Sequence, residues 1–387
     1  MRIAYVSTDR GVPAFGTKGC SVHVQEMMRA FRRLGHSVTL FTSRAGGTAP
    51  ADLADVPLVD LPDFAAARPA SPAEANERTA DTIRREGSFD LVYERYALWS
   101  HAGMTAAQAA GRPGLLEVNA PLIDEARRYR PDTDLAGADA IAERAFGTAT
   151  AVVAVSDDVA RYVRGVAGPG SRVAAIPNGV DPHRFRHLRL ARARDGFTIG
   201  FVGTMKPWHG LAVLVDAFER VAAALPDARL LLVGDGPDRE PIAARLADRG
   251  LDHRVEWTGA VDPTEIPRLL TRMDVAVAPY PEVECYFSPL KVFEYLAAGL
   301  PVVASRVGQL STLLLHERHA LLVEPGSAPE LAAAIERLAE DRLLRHRIAG
   351  GGRVLVESEY TWERIAGRIL ALGRTRAPSR ALTGVAY

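Results

Sequence analysis

Apolar residues follow one another along this chain in two rhythms. Short β-branched runs read RIAYVS, SVTLFTS, DLVYE, GLLEV and TAVVAVS in the first half. FTIGFVG, ARLLLVG, RVEWTG, DVAVAPY, PVVAS and ALLVEP follow in the second. They lack the period-two alternation of a strand with one wet face, so they predict strands covered on both sides. Between them lie helical stripes: Val24, Met27, Met28, Phe31 and Leu34, then Leu211, Leu214, Val215 and Phe218, and last Trp362, Ile365, Ile369 and Leu372. Strands alternating with such helices predict parallel sheets, and hence an α/β fold of two domains. The boundary is placed in residues 176–196, IPNGVDPHRFRHLRLARARDG, where an Asn-Gly turn signal meets a proline and a basic polar stretch. Residues 45–80, rich in Ala, Pro and Asp, show no strand and read as a surface excursion.

The composition narrows the functional classes. The chain has 387 residues, 48% of them hydrophobic and 24% charged, with a formal net charge of zero. Nothing in it resembles the basic domain that nucleic acid would require. Cys20 and Cys285 stand too far apart in sequence to suggest a disulfide framework or a zinc site. MRIAYVSTDRG is a short strand rather than a signal sequence, and no apolar run approaches the roughly 18 residues of a membrane span. These features predict a soluble cytoplasmic protein for which a peripheral membrane contact stays open.

Lysine use is the first pointer to chemistry. Among 47 basic residues only Lys18, Lys206 and Lys291 are lysines, and all three lie in or beside glycine-bearing loops. A compact ammonium in place of the usual guanidinium fits a point contact with phosphate. In SPLKVFEYLAAG, Ser288 has the chemistry of an N-cap and Pro289 that of a first helical residue, with Gly299 as the stop. The positive end of that helix and Lys291 predict an anion site, with Glu294 one turn further along, placed to accept hydrogen bonds from sugar hydroxyls. In GTMKPWHG, Gly203 and Gly210 allow close backbone approach while Lys206 and His209 face an anion at a strand's carboxyl end. In FGTKGCS, Gly16, Lys18 and Gly19 form a comparable loop, although neither GxGxxG nor a P-loop pattern is present. A capped structural helix and solvated basic faces are the plain alternatives. Taken together, the three loops predict a diphosphate held between two domains.

The segments IPNGVD, FVGTMKPWHG, LLLVGDGP, WTGAV, SPLKVFEYLAAGLPVVAS and ALLVEPGSAPELAAAI resemble, in order, the carboxyl-terminal domain of glycosyltransferase family 4. FGTKGCSVHVQEMMRAFRRLGHSVTLFT is similar to that family's glycine loop and first helix. The resemblance implies a GT-B fold of two Rossmann-like parallel-sheet domains facing across a cleft. Residues 1–180 would bind acceptor, 181–356 nucleotide sugar, and a final helix in 357–387 would cross back. It also implies retaining transfer from a nucleotide diphosphate sugar, UDP favoured, with no metal or other cofactor. Carried over by motif, Glu294 would hold the ribose, Gly16 and the stretch Ser288, Pro289, Leu290 and Lys291 the diphosphate, and Thr258 to Val261 the base. Two positions depart from the pattern. Tyr286 stands where the family's first paired glutamate belongs, with Glu284 and Glu282 just before it. Thr204 and His209 stand where many relatives carry Arg and Lys.

Such a reaction asks mainly for positioning and for stabilising a departing diphosphate, so Lys206, His209 and Lys291 are the catalytic candidates and no general base is nominated. Acceptor contacts are expected from His23, Glu94, Arg95, Glu117, Asn119 and Glu125 at strand ends of the first domain. If Glu94, Glu117, Asp124 and Glu125 converge with Glu282 and Glu284, the acidic site favours an aminated acceptor. The KPWHG and SPLKVFEY variants look like those of transferases that glycosylate aminocyclitols such as 2-deoxystreptamine in aminoglycoside antibiotic pathways. The alternatives are a phosphoinositide-type lipid acceptor met by Arg29, Arg32, Arg33 and ARRYR, a nucleotide-sugar 2-epimerase, and a non-catalytic binding protein. The Asp-x-Asp string at 132–134 lies away from any strand end and reads as chance.

Overall fold

A computed structural model describes residues 1–62, 71–168, 170–186, 196–282, 286 and 288–374. Cys285 and Glu284 fall outside them. The chain divides into two units: Met1–Pro177 together with the chain from Glu363 onward, and Asn178–Trp362. The crossings thus come after Pro177 and Trp362, a few residues from the expected 180 and 356.

The first unit is built on β1 (Arg2–Ser7), β2 (Ser37–Thr42), β3 (Leu58–Asp60), β4 (Leu91–Arg95), β5 (Gly114–Val118), β6 (Ala151–Ala154) and β7 (Val173–Ala175). Its helices are α1 (Gly19–Arg33), α2 (Pro72–Arg85), α3 (Ala102–Ala109), α4 (Leu122–Tyr129), α5 (Ala138–Thr148) and α6 (Asp157–Ala167). The second unit has β8 (Phe197–Val202), β9 (Ala228–Val233), β10 (Val255–Gly259), β11 (Val275–Ala278), β12 (Val302–Ser305) and β13 (Leu321–Val323). With them come α7 (Leu211–Ala224), α8 (Arg239–Asp248), α9 (Ile266–Leu270), α10 (Leu290–Ala297), α11 (Leu310–Leu313), α12 (Ala328–Glu340) and α13 (Arg342–Glu359). A last helix, α14 (Trp362–Arg374), leads into the first unit, where Glu363 pairs with Arg33 at 2.8 Å and Arg172 donates to the Leu372 carbonyl.

Both sheets are parallel, in the orders β3-β2-β1-β4-β5-β6-β7 and β10-β9-β8-β11-β12-β13. Each order reverses once, between β1 and β4 and between β8 and β11. Loops leaving the strands there run to opposite faces and open a crevice at the carboxyl ends. The even hydrophobicity of the strands has a direct cause. On β8, Phe201 belongs to the core cluster that holds Phe218 and Ile335, while its neighbour Val202 belongs to the separate cluster that holds Phe293 and Leu296. Both faces are core.

The structure adds to the expected pattern and corrects it. Strands β3 and β7, three residues each at the sheet edges, carry no fully buried residue, so their sequence gave no apolar run to read. Residues 45–80 therefore contain an edge strand and the start of α2. Leu34, expected in the core stripe of α1, caps that helix and is 38% exposed. Ser288 is not the cap of α10, which is Pro289. The Ser288 hydroxyl instead accepts from the Asn178 amide at 3.0 Å.

Candidate active site

In the second unit the crevice between β8 and β11 gathers the residues of two distant motifs. Gly203 ends β8 with φ 145°, and a Cβ there would stand 2.8 Å from the Lys291 Nζ, so only glycine lets the lysine lie against the strand end. Phe201 of β8 and Tyr280, just past β11, flank the same ammonium, with ring centroids at 4.3 and 5.6 Å. Lys291 as a residue is only partly buried, but its Nζ is enclosed and has no hydrogen-bond partner among the described residues. Burial, opposed by the Glu294 carboxylate, brings its pKa down to about 7. Two aromatic faces offset part of an ammonium's desolvation, as cation–π contacts do, but they supply no counterion.

Lys206 and His209 come close to Lys291. The His209 Nδ1 donates to the Thr204 carbonyl, and its ring stands 6.0 Å from both Phe201 and Tyr280. Burial first, then the ammonium groups of Lys291 and Lys206, push His209 down to about 3. It is therefore neutral near pH 7 and can meet an anion as a hydrogen-bond donor but not as a cation. Lys206 is partly buried, its Nζ 5.7 Å from the Trp208 ring centre. Gly210, expected to approach a ligand, serves packing: at φ 70° a Cβ would fall 1.8 Å from the Pro279 carbonyl oxygen.

Glu294, one turn along α10, receives Arg184 Nη1 at 3.3 Å. Pro289 and Leu290 begin that turn, while Thr258, whose hydroxyl donates to the Gly259 carbonyl at 2.9 Å, and the half-buried Val261 flank the turn after β10. Tyr286 is half-buried and Glu282 exposed.

In the first unit, the loop between β1 and α1 is shaped by Gln25, whose side-chain amide donates to the carbonyls of Ala14 and Gly16 at 3.0 Å each. Gly16 lies against Pro13 and Ser21, Gly19 opens α1, and Lys18 precedes it, exposed. Register decides the rest. Ser7 pairs with Arg95 and Arg95 with Glu117, so these three side chains share one face of the sheet. His23 from α1 meets that row, its Nε2 2.8 Å from Glu117 Oε1, and Arg95 lies 3.6 Å from the other carboxylate oxygen. Burial would raise the Glu117 pKa, but His23 and Arg95, with the nearby Tyr93 hydroxyl, outweigh it and bring it to about 2. Asn119, two residues on, has an enclosed Nδ2 without a partner among the described residues.

Glu94, one position earlier on β4, points to the opposite face. It accepts from the Ser100 hydroxyl at 2.7 Å and from the Met104 amide at 3.0 Å, fixing the first turn of α3, and is 0% exposed. Burial raises its pKa to about 7. The acidic residues of this unit do not converge, so the condition for an aminated acceptor is not met within it. Glu94 is a buried helix anchor, Glu117 is enclosed by positive charge, Asp124 pairs with Arg127 on the surface, and Glu125 is half-buried on α4. Among the described residues no three His, Cys, Asp or Glu side chains are grouped to hold a metal ion, and no helix is long and apolar enough to cross a membrane.

Comparison with known proteins places both units. Residues 17–184 match the family described as Glycosyltransferase Family 4, and residues 196–341 match Glycosyl transferases group 1. The chain is a glycosyltransferase of the GT-B, family 4 type. This glycosyltransferase is 29% identical to a D-inositol 3-phosphate glycosyltransferase of Jonesia denitrificans, over 95% of this chain and 93% of the relative. It is also 29% identical to a 2-deoxystreptamine glucosyltransferase of Streptomyces kanamyceticus, over 75% of this chain and 78% of that one. Its fold matches a sucrose-phosphate synthase from Thermosynechococcus elongatus (TM-score 0.72, 20% identity, 96% and 98% of the chains). It also matches Anabaena HepE solved with UDP (TM-score 0.73, 19% identity, 96% and 99%).

Several residues of the transferase's crevices escaped the sequence reading. Tyr280 ends an apolar run at a strand's carboxyl end, a signal that was present. Arg184, inside the boundary stretch, gave none.

Proposed function

We propose that the protein transfers a hexose or N-acetylhexosamine from a nucleoside diphosphate sugar, UDP favoured, to a hydroxyl of a cyclitol, with retention. One observation carries the donor half: an enclosed ammonium, Lys291, without a hydrogen-bond partner among the described residues, set against a glycine at the crevice of the second unit. A diphosphate oxygen supplies the missing acceptor and counter-charge, with Lys206 and the positive end of α10 beside it. In the transfer the sugar's anomeric bond to the diphosphate breaks, the acceptor oxygen bonds to the anomeric carbon from the vacated side, and its proton passes to the departing diphosphate. Atoms and charge balance without a protein nucleophile, and the reading assigns diphosphate neutralisation to lysines rather than to a metal.

The acceptor class rests on the relatives. One is named for an inositol phosphate and the other for 2-deoxystreptamine, and both acceptors are cyclitols. The carboxylate argument for an amine no longer supports the second over the first, because Glu94 is sequestered and Glu117 is already neutralised. Arg95 Nη1 makes no hydrogen bond among the described residues but already faces Glu117 at 3.6 Å, so this row favours neither an ammonium nor an anion on the acceptor. Incubation of UDP- and GDP-sugars with 2-deoxystreptamine or with D-inositol 3-phosphate, in EDTA, tests this. Product from either cyclitol supports the class, and sugar transfer to phosphatidylinositol vesicles alone would replace it with the lipid reading.

A further inference from the structure

Glu294 does not stand by itself. The 3-10 turn Pro182–Phe185 brings Arg184 onto it: Nη1 donates to Glu294 Oε1 at 3.3 Å, and Nη2 donates to the Pro263 carbonyl at 2.7 Å. One guanidinium thus spans three segments remote in sequence: the stretch after Asn178, the first turns of α10, and the loop that follows β10. The carboxylate and the guanidinium are about a fifth to a quarter exposed, at 21% and 24%, so the pair is neither dry nor a loose surface contact. The turn is itself fixed, since Phe185 is 0% exposed and lies beneath the guanidinium at 5.7 Å. The same stretch also holds the residue before the cap of α10, where Asn178 Nδ2 donates to the Ser288 carbonyl at 3.2 Å and the Asn178 amide to the Ser288 hydroxyl.

We propose that Arg184 is a positioning residue of the donor site, which locks the Glu294 carboxylate to the turn after β10 so that ribose hydroxyls meet an acceptor already held in place. The proposal rests on the assignment of Glu294 to the ribose. A carboxylate on a free two-carbon stem must lose rotamer freedom when it binds a diol, and a rigid fork from a third segment removes that loss beforehand. Lysine would not serve, because a single ammonium cannot hold the carboxylate and the Pro263 carbonyl in one plane. A purely structural Arg184 would stabilise the unit without affecting how the nucleotide's sugar is read.

The test measures Kd by calorimetry for UDP or GDP, whichever the parent binds, and for its 2′,3′-dideoxy analogue, in the parent, Arg184→Met, Arg184→Lys and Glu294→Gln. Removing Glu294 should lower the preference for the ribose form by about tenfold or more, and Arg184→Met should reproduce most of that loss, with Arg184→Lys between. Inorganic pyrophosphate should bind all four proteins alike. If Arg184→Met melts earlier yet keeps the parent's preference, Arg184 is only a staple and the proposal is overturned. If Glu294→Gln itself keeps the preference, the ribose assignment fails and takes the proposal with it. Should Arg184→Met not fold, Arg184→Lys carries the same comparison.

Discussion

Lys291 and Glu117 are both charged groups drawn into a crevice at the carboxyl ends of a parallel sheet, one in each unit, and they have opposite electrostatic histories. Glu117 is 2% exposed but enclosed by His23 and Arg95, so its charge is complemented within the folded chain. The Lys291 ammonium has two aromatic rings, feels the Glu294 carboxylate one turn along α10, and has no hydrogen-bond acceptor among the described residues. A buried charge with partners is a structural commitment. A buried charge without them costs stability in the free protein and yields it back when an anion arrives.

The sharpest way to break this comparison is Lys291→Met. The lysine's pKa is about 7 in the folded chain against 10.5 unperturbed, so the unfolded chain holds the extra proton between those values and stability falls as pH drops from 10.5 towards 7. Methionine should therefore stabilise the ligand-free protein by about 4 kcal/mol at pH 6 and progressively less towards pH 10, as read by urea unfolding. In the same variant UDP or GDP binding should weaken by about a hundredfold or more in calorimetry. A variant less stable than the parent at pH 6 would remove the idea of an uncompensated charge.

Glu117→Gln is the converse. It leaves His23 and Arg95 facing a neutral amide and should cost about 3 kcal/mol at pH 7. The parent's carboxylate is held near 2 against 4.5, so its contribution is complete above pH 4.5 and disappears as pH falls towards 2. Acid unfolding of the variant should lack that limb.

Glu94→Gln sharpens the contrast within one sheet. Here the folded pKa is raised to about 7 from 4.5, so the contribution of the neutral, protonated side chain is complete below pH 4.5 and lost as pH climbs to about 7. Glutamine keeps an acceptor for the α3 amides and should raise stability at pH 8 by about 1–2 kcal/mol, with transfer activity unchanged. A collapse of activity at constant stability would return Glu94 to the acceptor site.

The smallest effects are expected at the other lysines. Lys206→Ala should weaken nucleotide binding by about tenfold and Lys18→Ala by less, with melting curves superimposable on the parent's.

Much of this was legible in the chain. The strands RIAYVS and GLLEV are β1 and β5 to the residue, and the helix that begins within SPLK ends before Gly299 as its composition requires. Glycine and lysine marked the crevice loops because those residues were chosen against the chain's own preference for arginine. The charge of the candidate sites was not legible. Glu94 and Glu117 look alike as strand-end carboxylates, and nothing in the sequence says which form of His209 faces an anion beside Lys206.

Sequence alone determined the central strands and their order, and the amphipathic helices between them, because those depend on local backbone preference and on the period of apolar side chains; the edge strands β3 and β7 lack that period. The tertiary structure alone decided what each ionisable group is. The alternation of a parallel strand sends Glu94 and Arg95 to opposite faces, register sets Glu117 beside Arg95, and His23 reaches that row from a helix 94 positions away. The Lys291 ammonium is enclosed by rings from β8 and from the end of β11. Proton affinity is set by desolvation and by charges within a few ångströms, and those neighbours come from parts of the chain that only folding brings together.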